Sequence, residues 1–180
     1  MGMVVHIVQV AKSQKHNKGV SFSKSMNGAK KKVEENFNTI LHYAHFWNWA
    51  PDWQIVKDIY MRIPESYSVL TPFAYTYLEE LIRTTTSEYG EPFFDRNGQP
   101  IKIKVGMALI SLAIKENQAN TKYIALLEET KKYFSHINNI ADENGRNKVL
   151  HGHLHPRFWS KESFEDLIEH IAKLSKYSQF

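Results

Sequence analysis

Cysteine is absent from the 180 residues. This removes disulfides and thiolate catalysis and fits a reducing compartment, so a cytoplasmic location is expected. No apolar run approaches the roughly 20 residues that span a bilayer, and no membrane partner is expected. The opening stretch Met1–Val10 is apolar but holds His6 and Gln9. It has neither a basic leader nor a small-residue cleavage site, so it does not read as a secretion signal. Also missing are a glycine-rich phosphate loop, a Gly-x-Ser-x-Gly elbow, a dinucleotide fingerprint and a His-Glu-x-x-His helix. No cofactor is expected. Charge imbalance is slight as well: a net charge of +4 eases the approach of an acidic partner without being a nucleic-acid signature.

What the chain does contain is apolar and aromatic material, 42% and 13% of its residues, enough for a folded core in a protein of this length. An all-α architecture is expected, with two parts. Residues 1–28 form an N-terminal arm or short strand (Val4–Val10) followed by a basic loop, and residues 29–180 form one helical domain. The lysines between Lys12 and Asn27 fit a solvated loop better than an arm on RNA.

From Ala29 onward, Val33, Phe37, Ile40, Leu41 and Ala44 recur at helical spacing. Phe46, Trp47, Trp49 and Trp53 then gather around Ala50-Pro51, as core residues in preference to a base-stacking platform. A second helix is expected over Asp52–Arg62, stopping before Pro64. Thr71-Pro72 reads as the start of a third, with Phe73, Tyr77, Leu78, Leu81 and Ile82 as its buried stripe. Near residues 92–105, the turn Arg96-Asn97-Gly98 followed by alternating Ile101 to Val105 suggests a small β-hairpin insertion. Gly106–Glu116 is apolar enough for a central helix with little solvent face. Asn120 or Thr121 opens the next helix, with Tyr123, Ile124, Leu127, Tyr133, Phe134 and Ile137 as its stripe. Ser160 caps a last helix burying Phe164, Leu167, Ile168, Ile171 and Ala172. The histidines at 6, 16, 42, 45, 136 and 170 have no evident partner in the sequence and read as structural or surface groups.

Chemistry concentrates in Arg146-Asn147-Lys148-Val149-Leu150-His151-Gly152. Gly152 supplies a helix stop, so the stretch reads as a brief helix. At about 100° per residue, Asn147 and His151 share a face, whereas Arg146 and His151 diverge by about 140°. Arg146 joins that face through its long stem or through unwinding near Gly152. Such a trio suits phosphodiester cleavage. A guanidinium offers a planar fork to a phosphate, an imidazole moves a proton near neutral pH, and an asparagine holds the ring or a phosphate oxygen. An Arg and a His on a short helix also commonly serve as a surface cation and a capping or half-buried ring.

Arg146 followed by polar Asn147, three residues, His151-Gly152, a loop and a final amphipathic helix resembles the HEPN family of small helical domains. The likeness covers roughly residues 136–176, extends more loosely to Leu78-Glu79-Glu80-Leu81, and leaves out the N-terminal portion. The resemblance implies a HEPN-like helical bundle and a metal-independent endoribonuclease of toxin or phage-defence type. It assigns catalysis to Arg146, Asn147 and His151 in a homodimer that brings two copies of the motif together. It further implies that Glu79 or Glu80 lies near Arg146, and that an antitoxin or regulatory protein is a partner besides RNA. The other outcome it allows is a non-catalytic HEPN-like module that binds RNA or protein.

A rival constellation is His151, His153 and His155, which would face one way in an extended segment and could hold zinc with a carboxylate such as Asp142. A helix through His151 breaks that alternation. No metal site is therefore expected, and His153 and His155 read as loop residues beside the motif.

Overall fold

The computed structural model describes residues 28–92, 94–134 and 160–180. The chain divides after Glu35 into two compact units, Met1–Glu35 and Asn36–Phe180. In the first, Lys31 faces Glu35 across one helical turn at 3.8 Å on an exposed surface, and Val33 is buried.

The elements are helical, as the periodicities require: α1 (28–43), α2 (Ala50–Arg62), a 3₁₀ turn (Pro64–Ser66), α3 (Tyr67–Arg83), α4 (Gly106–Glu116), α5 (Thr121–Phe134) and α6 (Lys161–Ser175). Among the described residues no helix is long and apolar enough to cross a membrane. The larger unit is an all-α bundle built on α3, which packs along α6 and α4, while α5 closes against α4 and α6. Leu78, Leu81, Ile82, Leu167, Ile168 and Ile171 fill the centre at 2% exposure or less. Each such side chain contributes roughly 1.5–3 kcal/mol relative to exposure.

Two caps lie where the sequence puts them. Asn120 Oδ1 accepts the Tyr123 N–H at 3.1 Å, and Ser160 Oγ accepts the Ser163 N–H at 3.0 Å. Each satisfies a donor that the first turn of a helix leaves orphaned. Helix α2 attaches through aromatic rings. Trp53 meets Phe73 and Tyr77 edge-on at centroid distances of 5.1 and 5.0 Å, and Tyr60 meets Phe164 at 5.0 Å.

Four expectations need correction. Thr71-Pro72 does not start α3, because the helix begins at Tyr67, five residues after α2 ends, with Pro72 inside it. The Thr71 hydroxyl donates to the Tyr67 carbonyl one turn back at 2.7 Å instead of capping. Pro72 lies early enough that it forfeits one backbone bond, to Ser68, without ending the helix.

Helix α4 is not central. Its buried residues are Leu109, Ile110 and Ala113, and Met107 is 40% exposed. Apolar composition there exceeded what the bundle had room to bury.

The aromatic group splits: Trp53 is fully buried, while Phe46 and Trp47 are 68% and 73% exposed. They lie in the turn between α1 and α2, where no helix among the described residues covers them.

Among the described residues the hairpin reduces to one antiparallel bridge, Phe94 to Pro100. Asp95 organises its turn by accepting the N–H groups of Asn97 and Gln99 at 2.8 and 2.9 Å, and Gly98 takes the positive φ of 72°. Pro100 has no N–H with which to extend the ladder.

The connection 84–105 is nevertheless pinned at its ends. Thr84, Thr85 and Thr86 turn their hydroxyls back onto the carbonyls of Leu81, Ile82 and Arg83 at 2.7, 2.8 and 2.9 Å. The Ile82 and Arg83 carbonyls also accept the N–H groups of Thr85 and Thr86 at 3.1 and 2.9 Å, so there the hydroxyls add a second bond where α3 ends. Glu88 then gathers the Arg83 guanidinium at 3.1 Å, the Lys104 ammonium at 2.8 Å and the Lys104 N–H at 2.9 Å.

Candidate functional site

Arg146, Asn147 and His151 lie outside the described residues, as do Asp142, His153, His155 and the N-terminal stretch Val4–Val10. The framework that carries the motif segment is described on both sides, at Phe134 and Ser160. Helices α5 and α6 run antiparallel. Tyr123 stacks on Tyr177 at one end at 4.9 Å, and Tyr133 meets His170 toward the other at 5.2 Å. Residues 135–159 are therefore tethered at two neighbouring helix ends, the C-terminus of α5 and the N-terminus of α6.

That end of the bundle carries both signs of charge: carboxylates lie near its two buried tyrosines, while Lys131 and Lys132 occupy the last turn of α5. Tyr60 donates its hydroxyl to Glu165 Oε1 at 2.6 Å. Burial, this bond and the neighbouring Glu165, Glu162 and Glu65 charges hold the phenol protonated well above its usual range. Tyr133 is raised likewise, first by burial and then by Asp166, Glu129 and Glu169. Lys161 lies 3.8 Å from Glu165, so part of its charge is already answered.

On α3, Glu80 faces Arg83 Nε at 3.7 Å. The other half of its expected pairing, Arg146, lies outside the described residues, and the same holds for Glu79. Among the described residues, no group of three or more His, Asp or Glu side chains is arranged to hold a metal ion.

His170 is the group whose role the sequence conceals. It is 4% exposed, and its Nε2 lies 2.8 Å from the Thr130 hydroxyl. That hydroxyl donates its proton to the Leu126 carbonyl at 2.7 Å, so His170 must donate through Nε2–H and is in the corresponding neutral tautomer. Burial, followed by the Lys132 and Lys173 charges, pushes its pKa down to about 4. Glu129, at 4.0 Å from Nδ1, therefore faces a neutral ring and makes no ion pair with it near pH 7.

The geometry has the outline of a hydroxyl nucleophile beside a base, but the proton runs the wrong way. Thr130 is fully buried and its hydrogen is committed to Leu126. The pair ties α5 to α6 and carries no chemistry. The available signal was positional, since His170 follows Leu167 by three residues on the stripe of α6.

Phe46 and Trp47 are exposed, with ring centroids 5.1 Å apart and His45 stacked on Phe46 at 5.5 Å. Through His45 they approach Phe180, beyond the C-terminal end of α6. A 15-residue helix spans about 22 Å, so these rings sit a full helix length from the Ser160 tether. No protein-family model, curated protein or solved structure matches the chain.

Proposed function

We propose that the chain is a metal-independent endoribonuclease of HEPN type. One observation carries the reading: Arg146-Asn147 and His151-Gly152 fall on the segment joining α5 to the capped last helix of an all-α bundle. Arg146 would hold the scissile phosphate and offset the charge that develops on it. His151 would accept the proton of the ribose 2′-hydroxyl or return one to the leaving 5′-oxygen. Asn147 would orient the ring or a phosphate oxygen. One imidazole cannot serve as acid and base at once, so two copies of the chain would supply one each.

The products expected are a 2′,3′-cyclic phosphate and a 5′-hydroxyl, formed in EDTA. His151→Ala should slow cleavage of labelled RNA by about 10²-fold or more, the usual share of a positioned acid–base group. An unchanged rate sinks the proposal, and cleavage abolished by EDTA turns it toward metal chemistry at His151, His153 and His155.

The exposed Phe46–Trp47 pair favours a second reading, a non-catalytic HEPN-like module binding RNA or a regulatory protein. Exposed aromatic rings suit stacking on unpaired bases. Binding of RNA that Phe46→Ala weakens, with no cyclic-phosphate ends formed, identifies this second role.

A further inference from the structure

An asparagine followed by glycine is especially prone to lose its side-chain amide. A residue without a Cβ leaves its own backbone nitrogen free to approach the preceding side chain. The chain has three such pairs, Asn27-Gly28, Asn97-Gly98 and Asn144-Gly145. Asn27 and Asn144 lie outside the described residues, whereas Asn97 and Gly98 are both described and exposed. A Cβ built on Gly98 would meet nothing within 4 Å, so no neighbour crowds the pair.

The reaction needs the Gly98 nitrogen to reach Asn97 Cγ, and the turn holds that nitrogen elsewhere. Gly98 N–H donates to the Asp95 carbonyl at 3.0 Å. Asp95 Oδ1 accepts the N–H groups of Asn97 and Gln99 at 2.8 and 2.9 Å. The Asp95 N–H closes the loop on the Gln99 carbonyl at 2.8 Å. Each of these bonds has Asp95 at one end, and the loop Arg96-Asn97-Gly98 finishes on a glycine at a φ of 72°. Residues 94–100 are all exposed, and the Phe94 to Pro100 bridge leaves the turn little else to rely on.

We propose that Asn97 is a site of spontaneous deamidation, and that the side chain of Asp95 is the latch that sets its rate. When the turn opens, the Gly98 nitrogen attacks Asn97 Cγ and the Cγ–Nδ2 bond breaks. Ammonia leaves with the proton that the Gly98 nitrogen gives up, and a cyclic imide remains. Water then opens the imide at either carbonyl, leaving aspartate or isoaspartate at position 97. One water is consumed, one ammonia is released, and no oxidant or reductant takes part. Either product carries a carboxylate, so the net charge of +4 falls by one. The new charge arises beside Asp95, where like charges repel. Isoaspartate also inserts a carbon into the backbone between two N–H groups that share Asp95 Oδ1, so the loop does not re-form unchanged. The site stands apart from the nuclease reading and is measured without RNA.

Incubation of the whole chain in mildly alkaline buffer, followed by digestion and mass spectrometry of each Asn-Gly peptide, tests the proposal. A parallel incubation in guanidinium gives the rate for the unfolded chain, where no turn exists. The folded wild type should accumulate aspartate and isoaspartate at position 97, several-fold more slowly than the unfolded chain. A methyltransferase specific for isoaspartate reads the altered linkage directly. Asp95→Ala should raise the folded rate to that variant's own unfolded rate. Referring each variant to its unfolded state cancels any effect of the lost carboxylate on the chemistry itself. Asp95→Asn keeps a side-chain acceptor and should keep most of the slowing. Position 95 is exposed, and circular dichroism checks that each variant keeps its helices.

An unmodified position 97 in folded chains, after the unfolded ones have fully converted, would overturn the site. Equal rates in folded and unfolded wild type, or a ratio that Asp95→Ala leaves unchanged, would overturn the latch.

Discussion

Helix α5 is tied to α6, and α3 to the connection that follows it, and in both places polar side chains make the joint. At the first, His170 and Thr130 meet in the interior, and the imidazole stays neutral because water cannot reach it. At the second, Glu88 remains an anion. Burial pushes its pKa up, but hydrogen bonds from Lys104 and the charges of Lys104 and Arg83 outweigh that and hold it below the ordinary range. What separates the two is the partner. A hydroxyl already donating elsewhere can only accept from a ring, whereas an ammonium and a guanidinium reward a charge.

The comparison can be broken most severely at the buried joint. His170→Ala leaves a cavity between α5 and α6 and removes the Nε2–H donor, and should cost roughly 3–4 kcal/mol in urea unfolding at neutral pH. A loss under 1 kcal/mol would show that the ring bears little weight.

Acid titration sharpens the contrast. With the folded pKa near 4 and the unfolded value near 6.5, the unfolded chain binds more protons between those limits. The His170 contribution is thus complete above pH 6.5 and lost as pH falls toward 4, by up to ~3 kcal/mol. His170→Phe should flatten the stability profile in that window. Glu88, whose pKa is lowered, keeps its contribution above the ordinary carboxylate range and loses it only below that range, so the two joints should fail in sequence. The smallest effect expected is from Glu88→Gln, about 1 kcal/mol and diminishing with added salt, because Lys104 is half exposed.

Periodicity and caps made much of this architecture legible. Asn120 and Ser160 stand where helices must find acceptors for their first N–H groups, and α4 keeps its expected bounds, Gly106–Glu116. The failures have physical causes as well. A threonine before proline looks like a cap, yet at Thr71 the helix was already running and the hydroxyl turned back onto its own backbone. Apolar composition marked α4 as central, but burial depends on how many neighbours arrive, and α4 has them on one side only. Phe46 and Trp47 carry the same composition as Trp53 and differ only in lying in a turn. At the candidate site the residue chemistry of Arg146, Asn147 and His151 was legible, while their approach to one another depends on folding that spacing alone does not fix. His170 escaped because its partner is forty residues away on another helix.

Tyr60 holds Glu165 from the inner side of α2, and Trp53 is locked among rings about two turns earlier. The outer side of that helix is consequently a stiff blade whose backbone is already fixed. Whatever meets it surrenders its own freedom alone, because α2 is preorganised and has almost none left to lose.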